Sequence, residues 1–330
     1  MVTFGVDLHP IVDARTLLAE AQLADRLGFD IVWVADSQLI WREAYSLLGA
    51  IAATTEHVKL GTGVTNPVTR HVAVLASAFS TLQELSGGRM QLGIGVGDSA
   101  LRTMKMQPAS LGELEEAIST LRLLCSGQPV GDMTLSFGSP ESAPPIYVAG
   151  AGPKMLEMAG RAGDGVILSG RAQADDVLQA MLACVRRGLA HAPRATPYVV
   201  TMSAAGAVDA DRHKAHLAVR PHVARGLLTA RWNLGEETRR VSEAVKAAYD
   251  YSKHMDPTAP HAALIPDSVI PEFALAGTPE DCIAQVRGLA AAGVDSIVIQ
   301  PYAVDGAPRS QTLEAFAQEV MLPYRRGGDS

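Results

Sequence analysis

The amino-acid sequence predicts a closed parallel (β/α)8 barrel with a helical insertion before its last strand. Three observations lead there. Eight short strand candidates alternate with helical stretches along the chain. The strands read as near-continuous apolar runs, as expected when helices cover the sheet. One joint also recurs: ADRLGFDIVWVAD (24–36), AGRAGDGVILSG (159–170) and LAAAGVDSIVIQ (289–300) each combine a helix end, a glycine C-cap and a β-branched run. Their spacing is too irregular for a solenoid.

Taken in order, a strand over 3–8 (TFGVDL) leads into a helix over 13–27, and a strand over 30–35 into a helix over 43–55. The next pairs are strand 57–62 with helix 70–86, strand 89–95 with helix 110–126, and strand 145–149 with helix 153–162, where Pro153 suits the first helical position. Helix 70–86 carries a broad apolar face of Val72, Leu75, Ala76, Phe79 and Leu82, a stripe that serves core contacts. Strand 164–169 and helix 174–190 follow. After strand 197–203 comes a long helical region over 209–254, then helix 279–291, strand 294–299 and helix 310–320. A dinucleotide-binding alternative fails at its signature: the turn around Gly93, Gly95 and Gly97 lacks the third glycine at the required spacing, and no acidic strand end follows about 20 residues on.

Composition narrows the function. The chain has 330 residues, 48% of them apolar, enough for a large core, and a net charge of −7. No run of Lys or Arg forms the basic stripe that phosphate neutralisation on nucleic acid requires. No stretch approaches the roughly 18 uninterrupted apolar residues of a membrane span, and Asp7 and His9 interrupt the N-terminus, so a cytoplasmic protein without a signal peptide is expected. Cys125, Cys184 and Cys282 lie far apart without CxxC spacing and read as buried small hydrophobes, so no metal site is expected.

In such a barrel the functional groups come from the C-terminal ends of the strands. Asp7 ends FGVDL and suits substrate orientation or proton transfer, with a structural partnership to His9 as the alternative. Asp36 and Asp98 end IVWVA and LGIGVG, so three carboxylates converge and repulsion calls for protonation or pairing with Arg42, Arg70 or Arg102. Asp98 also suits a helix N-cap before Ser99. In LGTGVTNPVTRH, Gly61 and Gly63 permit close approach of a flat ligand, while Thr65 and Asn66 supply hydrogen bonds, either to that ligand or to a turn before Pro67. VAGAGPKML is the best anion candidate: Gly150, Ala151 and Gly152 precede Pro153 and Lys154 at a helix N-terminus, and Ser169-Gly170 follows the next strand.

FGVDL, WVADS, LGTGVTNPVTRH, TLQELSGGRMQLGIGVGDSA, PIYVAGAGPKMLEMAGRAGDGVILSG and FALAGTPEDCIAQV together resemble the bacterial luciferase-like superfamily, most of all its methylenetetrahydromethanopterin reductase branch. The resemblance spans nearly the whole chain and is weakest over 205–270. It implies a single luciferase-like barrel domain, and a non-prolyl cis peptide at Gly63-Val64. It also implies coenzyme F420, or alternatively FMN, bound at the C-terminal mouth.

By the same resemblance Gly63, Val64, Thr65 and Asn66 back the ring, and Asp36 and Asp98, flanked by Ser37 and Gly97, meet its polar edge. Gly150 to Lys154 with Ser169 and Gly170 hold the phosphate. Asp7 faces a small organic substrate, with Asp7 or Asp98 carrying the proton; His9, before Pro10, reads either as a second substrate contact or as a solvated turn residue. Ser37 stands where deazaflavin enzymes of the branch commonly show His, and Lys105-Met106 stands where relatives tend to have Gly, so the natural pterin substrate of the branch is not expected.

The activity implied is hydride transfer between F420 or flavin and an organic substrate. An FMN-dependent monooxygenase is the alternative, and a non-catalytic flavin-binding barrel the second. A homodimer is expected by resemblance. The roughly 80 residues beyond a typical barrel fall largely in 205–270, expected to form a helical lid that sets substrate choice.

Overall fold

The computed structural model describes residues 1–192, 196–250 and 259–327. Its strands are β1 (Thr3–Leu8), β2 (Ile31–Val34), β3 (Lys59–Thr62), β4 (Met90–Ile94), β5 (Ile146–Gly150), β6 (Gly165–Ser169), β7 (Val199–Val208), β8 (Ala274–Gly277) and β9 (Ser296–Pro301). They join one sheet in the order β6-β5-β4-β3-β2-β1-β9-β7-β8, and β6 also pairs with β7. The fold is therefore the closed parallel (β/α)8 barrel that the alternation predicts, with β8 as an additional short strand beside β7.

The chain divides into two compact units. The N-terminal unit comprises residues 5–167 and 183–199, and the C-terminal unit comprises 1–4, 168–182 and 200–330. Strands β1, β6 and β7 are divided between them.

In the N-terminal unit the strands step in register, Gly5↔Ile31 through Leu8↔Val34, then Ile31↔Lys59 through Val34↔Thr62. The helices α1 (Ala14–Leu27), α2 (Ala44–Thr54), α3 (Val72–Leu85), α4 (Ser99–Thr103), α5 (Leu111–Cys125) and α6 (Pro153–Ala162) alternate with them. Local chemistry sets their ends. Asp13 caps α1 by accepting from the Arg15 and Thr16 N–H groups, and Ser110 with Glu113 forms a capping box on α5. Gly28 closes α1 in the left-handed conformation at φ +80. Gly163, expected to do the same for α6, is extended at φ −86. Its requirement is space: a Cβ there would lie 2.8 Å from the Gly165 carbonyl oxygen and 2.9 Å from Val148.

Two aromatic side chains fill the interior of this unit. Trp33 meets Tyr147 edge to face at 5.6 Å between ring centroids. Glycine supplies their room, because a Cβ at Gly61 would stand 2.5 Å from the Trp33 ring and one at Gly165 would stand 2.5 Å from Tyr147. Arg89, in the SGGR segment, is a structural hub. Its guanidinium donates to the carbonyls of Ala52, Thr55, Val58 and Ser86 and to the Thr55 hydroxyl, joining the end of α2 to the turn before β4.

In the C-terminal unit β7 pairs with β9 over Thr201↔Ser296 to Gly206↔Pro301, and with β8 over Ala205↔Ala274 to Val208↔Gly277. The helices are α7 (Asp176–Leu189, whose last residues belong to the N-terminal unit), α8 (Arg212–Thr229), α9 (Glu236–Ala248), α10 (Pro260–Ala263), α11 (Ile270–Phe273), α12 (Pro279–Ala292), α13 (Arg309–Ala315) and α14 (Leu322–Arg326). The single helical region expected over 209–254 is two helices broken at 230–235, its last four residues lie outside the described set, and residues 205–208 extend β7. One stripe of α8, Ala215, Val219, Val223 and Leu227, packs with Ala205, Ala207, Ala274 and Ala276 of the sheet and Val245 of α9. All three cysteines are free and buried. Among the described residues no helix is long and apolar enough to cross a membrane.

Candidate active site

The C-terminal ends of β1 to β5 bring most of the expected residues together within the N-terminal unit. Alternation in β1 buries Val6 and Leu8, and Asp7 between them is buried as well. Its carboxylate lies against the end of β3, where a Cβ on Gly63 would stand 3.0 Å from Asp7 Oδ1. Asp7 Oδ2 is 3.5 Å from His9 Nε2. The His9 ring stacks on Trp41, with centroids 4.6 Å apart and planes at 25°. Sequence reasoning passed over Trp41, although an aromatic residue five positions beyond a strand-end aspartate was a signal available in WVADSQLIW.

Asp36 is buried at the end of β2 and is held from both sides. The Thr65 hydroxyl donates to Asp36 Oδ2 at 2.8 Å, and the Gln38 side-chain amide donates to Oδ1. Tyr45, on the first turn of α2, donates its hydroxyl to Thr65 Oγ1 at 2.8 Å. Tyr45 to Thr65 to Asp36 is thus one directed relay. Burial pushes the Asp36 carboxyl above its usual range, against the opposing pull of the Thr65 hydroxyl and the Arg70 charge. Burial likewise pushes the Tyr45 phenol up, with Asp36 reinforcing it, so Tyr45 stays a neutral donor. The Arg70 guanidinium lies 4.2 Å over the Tyr45 ring and pairs with Glu43. Tyr45, Gln38 and Glu43 were not singled out from sequence, because each sits in a stretch that reads as ordinary helix or turn.

At the end of β3 the Gly63-Val64 peptide is cis, as the family resemblance implies. The bend is pinned by backbone bonds from Gly63 N to Val34 O at 2.9 Å, from Thr65 N to Gly93 O at 3.0 Å, and from Gly95 N to Thr65 O at 2.9 Å. These bonds seat the Gly63–Thr65 turn between β2 and β4. Asn66 is buried beyond it, with Oδ1 accepting from the Val68 and Thr69 N–H groups, so its acceptor serves the turn. Thr69 Oγ1 and Arg70 Nε are buried and have no hydrogen-bond partner among the described residues.

At the end of β4, Gly97 takes φ +91 and Asp98 precedes α4. Asp98 makes no side-chain cap. Its carboxylate pairs with Arg102 at 2.7 Å and is about half exposed. Ser37 and Ser99 share a hydrogen bond of 2.7 Å between their hydroxyls, tying the loop after β2 to the loop after β4. At the end of β5, Gly150, Ala151 and Gly152 lead into α6 with Pro153 in its first turn. Gly152 makes no side-chain cap, and Lys154 is exposed. The leading N–H groups and that ammonium form a donor set suited to an anion. Ser169 ends β6 in the C-terminal unit with Gly170 at φ +81, both exposed.

The arrangement therefore offers a buried carboxylate beside an imidazole, a second carboxylate fixed by two donors, the Gly63–Thr65 turn and a helix N-terminus. Among the described residues no cluster of His, Cys, Asp and Glu is arranged to hold a metal ion.

Comparison with known proteins places this geometry in a setting. Residues 1–296 match the family model described as luciferase-like monooxygenase. The chain is 34% identical over 311 residues, 90% of its length and 93% of the relative's, to a 5,10-methylenetetrahydromethanopterin reductase of Methanolobus tindarius. It is 28% identical over 338 residues, 95% of its length and 96% of the relative's, to an F420-dependent glucose-6-phosphate dehydrogenase of Amycolatopsis mediterranei. Among solved structures, the coenzyme F420 dependent tetrahydromethanopterin reductase of Methanopyrus kandleri has the same fold, with a TM-score of 0.84 at 22% identity over 98% of this chain and 99% of that one.

Proposed function

Because the chain belongs to the luciferase-like monooxygenase family, we propose that it is an F420-dependent oxidoreductase acting on an organic substrate over the C-terminal ends of β1 to β4. Chain-long similarity to a methylenetetrahydromethanopterin reductase and to an F420-dependent dehydrogenase supports the cofactor. The observation that carries the site is the convergence of two buried strand-end carboxylates on the Gly63–Asn66 turn, Asp7 against Gly63 and beside His9, and Asp36 in the relay through Thr65 to Tyr45.

These residues fit a flat ring with a polar edge and a phosphate-bearing tail. A Cβ at Gly95 would stand 3.3 Å from Val64, so glycine there leaves room for the turn. Thr69 Oγ1 and Arg70 Nε remain as unsatisfied buried groups on the same loop. Gly63 to Asn66 would back the ring, Asp36, Ser37 and Gly97 would meet its edge, and Gly150 to Lys154 would hold the phosphate. When bound, the deazaflavin supplies or accepts a hydride at its C5.

The chain's own residues do the rest. Gln38 and Thr65 fix both oxygens of Asp36, so that edge costs no reorganisation during turnover. Trp41 fixes the His9 ring plane, which keeps Nε2 near Asp7 Oδ2. Asp7 with His9 suits the carriage of the accompanying proton better than Asp98, whose carboxylate is engaged by Arg102.

Titration of the purified chain with F420 and, separately, with FMN, followed by visible absorption, tests the reading. Saturable F420 binding with weaker FMN binding is the expected result. Tighter FMN binding, with consumption of oxygen by the reduced flavin, would overturn it in favour of a monooxygenase.

A further inference from the structure

Four apolar side chains stand out into solvent on three loops of the N-terminal unit: Ile11 after β1, Leu39 and Ile40 after β2, and Met106 beyond α4. Leu39 is 80% exposed and Ile11 58%. Leu39 also holds φ at +67, and Lys105 beside Met106 holds +55, in the left-handed region that side chains with a Cβ enter only at a cost. Neither burial nor backbone preference accounts for a leucine at that position.

Hydrogen bonds tie the three loops into one frame. Arg42 Nη1 donates to the carbonyls of Pro10 at 3.3 Å and Ile11 at 2.8 Å, joining the first loop to the second. The Ser37–Ser99 bond and a 3.2 Å bond from Thr103 Oγ1 to the Gln38 carbonyl join the second to the third. Met106 N donates to Leu101 O, turning its segment back onto α4. Trp41, stacked on His9, belongs to the same frame, and the frame grows directly from Asp7, Asp36 and Gly97. The four apolar side chains are thus carried on one hydrogen-bonded frame with the candidate active site.

The charges argue in the same direction. Arg42 of these loops donates to two carbonyls and Arg102 pairs with Asp98, while Arg70, on the neighbouring loop after β3, pairs with Glu43 and keeps only its buried Nε without a partner. Lys105 is the remaining cation and is exposed. Two buried carboxylates, Asp7 and Asp36, lie at the strand ends. A phosphate or carboxylate on the substrate would meet acidic groups at the centre and few available cations around it.

We propose that the substrate is an uncharged, mainly aliphatic molecule whose apolar part lies against Ile11, Leu39, Ile40 and Met106 while its polar end reaches Asp7 and His9. This deepens the oxidoreductase reading above and rests on it for the site's identity. Specificity then resides in the loops after β1, β2 and β4.

The test is the binding of a series of 2-alkanones, from 2-butanone to 2-nonanone, with glucose 6-phosphate as the charged comparison. Equilibrium dialysis and tryptophan fluorescence give the readout, with and without F420. Each added methylene is expected to tighten Kd by about 2- to 4-fold. The fluorescence response should be lost in Trp41→Phe. The double substitution Leu39→Ser with Met106→Ser should reduce the increment to about 1.5-fold or less per methylene while leaving thermal melting unchanged.

A flat series in the unaltered chain overturns the proposal, as does an unchanged increment in the double variant or tighter binding of glucose 6-phosphate than of 2-nonanone. A dimer that the double variant converts to a monomer also overturns it, because a second copy of the chain would then cover these side chains. Absence of F420 binding strikes the cofactor reading alone, since the ketone series measured without F420 still judges the four apolar side chains.

Discussion

Thr65→Val tests the relay on which the candidate site's polar side depends. Thr65 is fully buried, and its hydroxyl is both acceptor from Tyr45 and donor to Asp36. Valine keeps the shape but leaves two buried groups without their partner. At about 1–3 kcal/mol for each orphaned group, the substitution should cost about 2–6 kcal/mol of stability at neutral pH. Tyr45→Phe alone leaves the Thr65–Asp36 bond in place and should cost about 1 kcal/mol. In the double variant only Asp36 is left short of a donor, so the two effects should fall short of additivity by about 2–4 kcal/mol.

The pH dependence of Thr65→Val follows from the Asp36 shift. Burial raises the folded-state pKa, so stability is fully present below the unfolded carboxylate value and is lost as pH rises through the folded one. Removing the Thr65 hydroxyl removes a cause that lowers that pKa, so the cost of Thr65→Val should be larger at pH 7 than at pH 4. Urea unfolding of the four proteins at both pH values measures each quantity. Additivity within about 0.3 kcal/mol, or a cost that grows on acidification, would refute the relay.

Three further outcomes are expected. Asp7→Asn should bind F420 as tightly as the unaltered chain and lose about 10²- to 10⁴-fold in turnover, and an unchanged rate in steady-state assays would remove Asp7 from the proton step. Gly63→Ala should both destabilise the fold and displace Asp7, because the new Cβ would stand 2.9 Å from Trp33 Cβ and 3.0 Å from Asp7 Oδ1. Thermal melting together with F420 titration reads the two effects. Arg89→Met should cost about 2–4 kcal/mol in urea unfolding by stranding the carbonyls that the guanidinium serves, with F420 affinity of the remaining folded protein unchanged.

The parts of the fold legible in the sequence are those set by local pattern. Asp13, Gly28 and the apolar strand runs specify their own geometry within a few residues. The strand β8 escaped that reading because ALAG is only four residues, three of them Ala or Gly, and its strand character comes from the β7 edge beside it, whose paired residues lie 69 positions earlier in sequence. Gly163 escaped for a related reason: its glycine answers a tertiary crowding that no local pattern reports.

The candidate site divides along the same line. Strand-end residues such as Asp7, Asp36 and Gly63 were visible because a barrel concentrates function at strand ends. Tyr45, Gln38 and Trp41 reach the site from α2 and from the loop before it, through contacts that only the folded backbone creates. The pairing of Asp98 also had to come from the structure. The sequence allowed Arg42, Arg70 or Arg102 as partners for its carboxylates, and the helical spacing of α4 gives Asp98 to Arg102.

The two departures from the family pattern now acquire a physical meaning. Ser37, in place of histidine, spends its hydroxyl on Ser99 and so links the loop after β2 to α4. Lys105 holds a left-handed φ that glycine would adopt freely. The turn geometry is therefore held at a cost to the backbone, and the side chains at 105 and 106 are presented outward. Both residues fall on the frame that carries Leu39, Ile40 and Met106. Lys105→Gly should alter the ketone-binding increment while leaving F420 affinity within about 2-fold, a difference of roughly 0.4 kcal/mol.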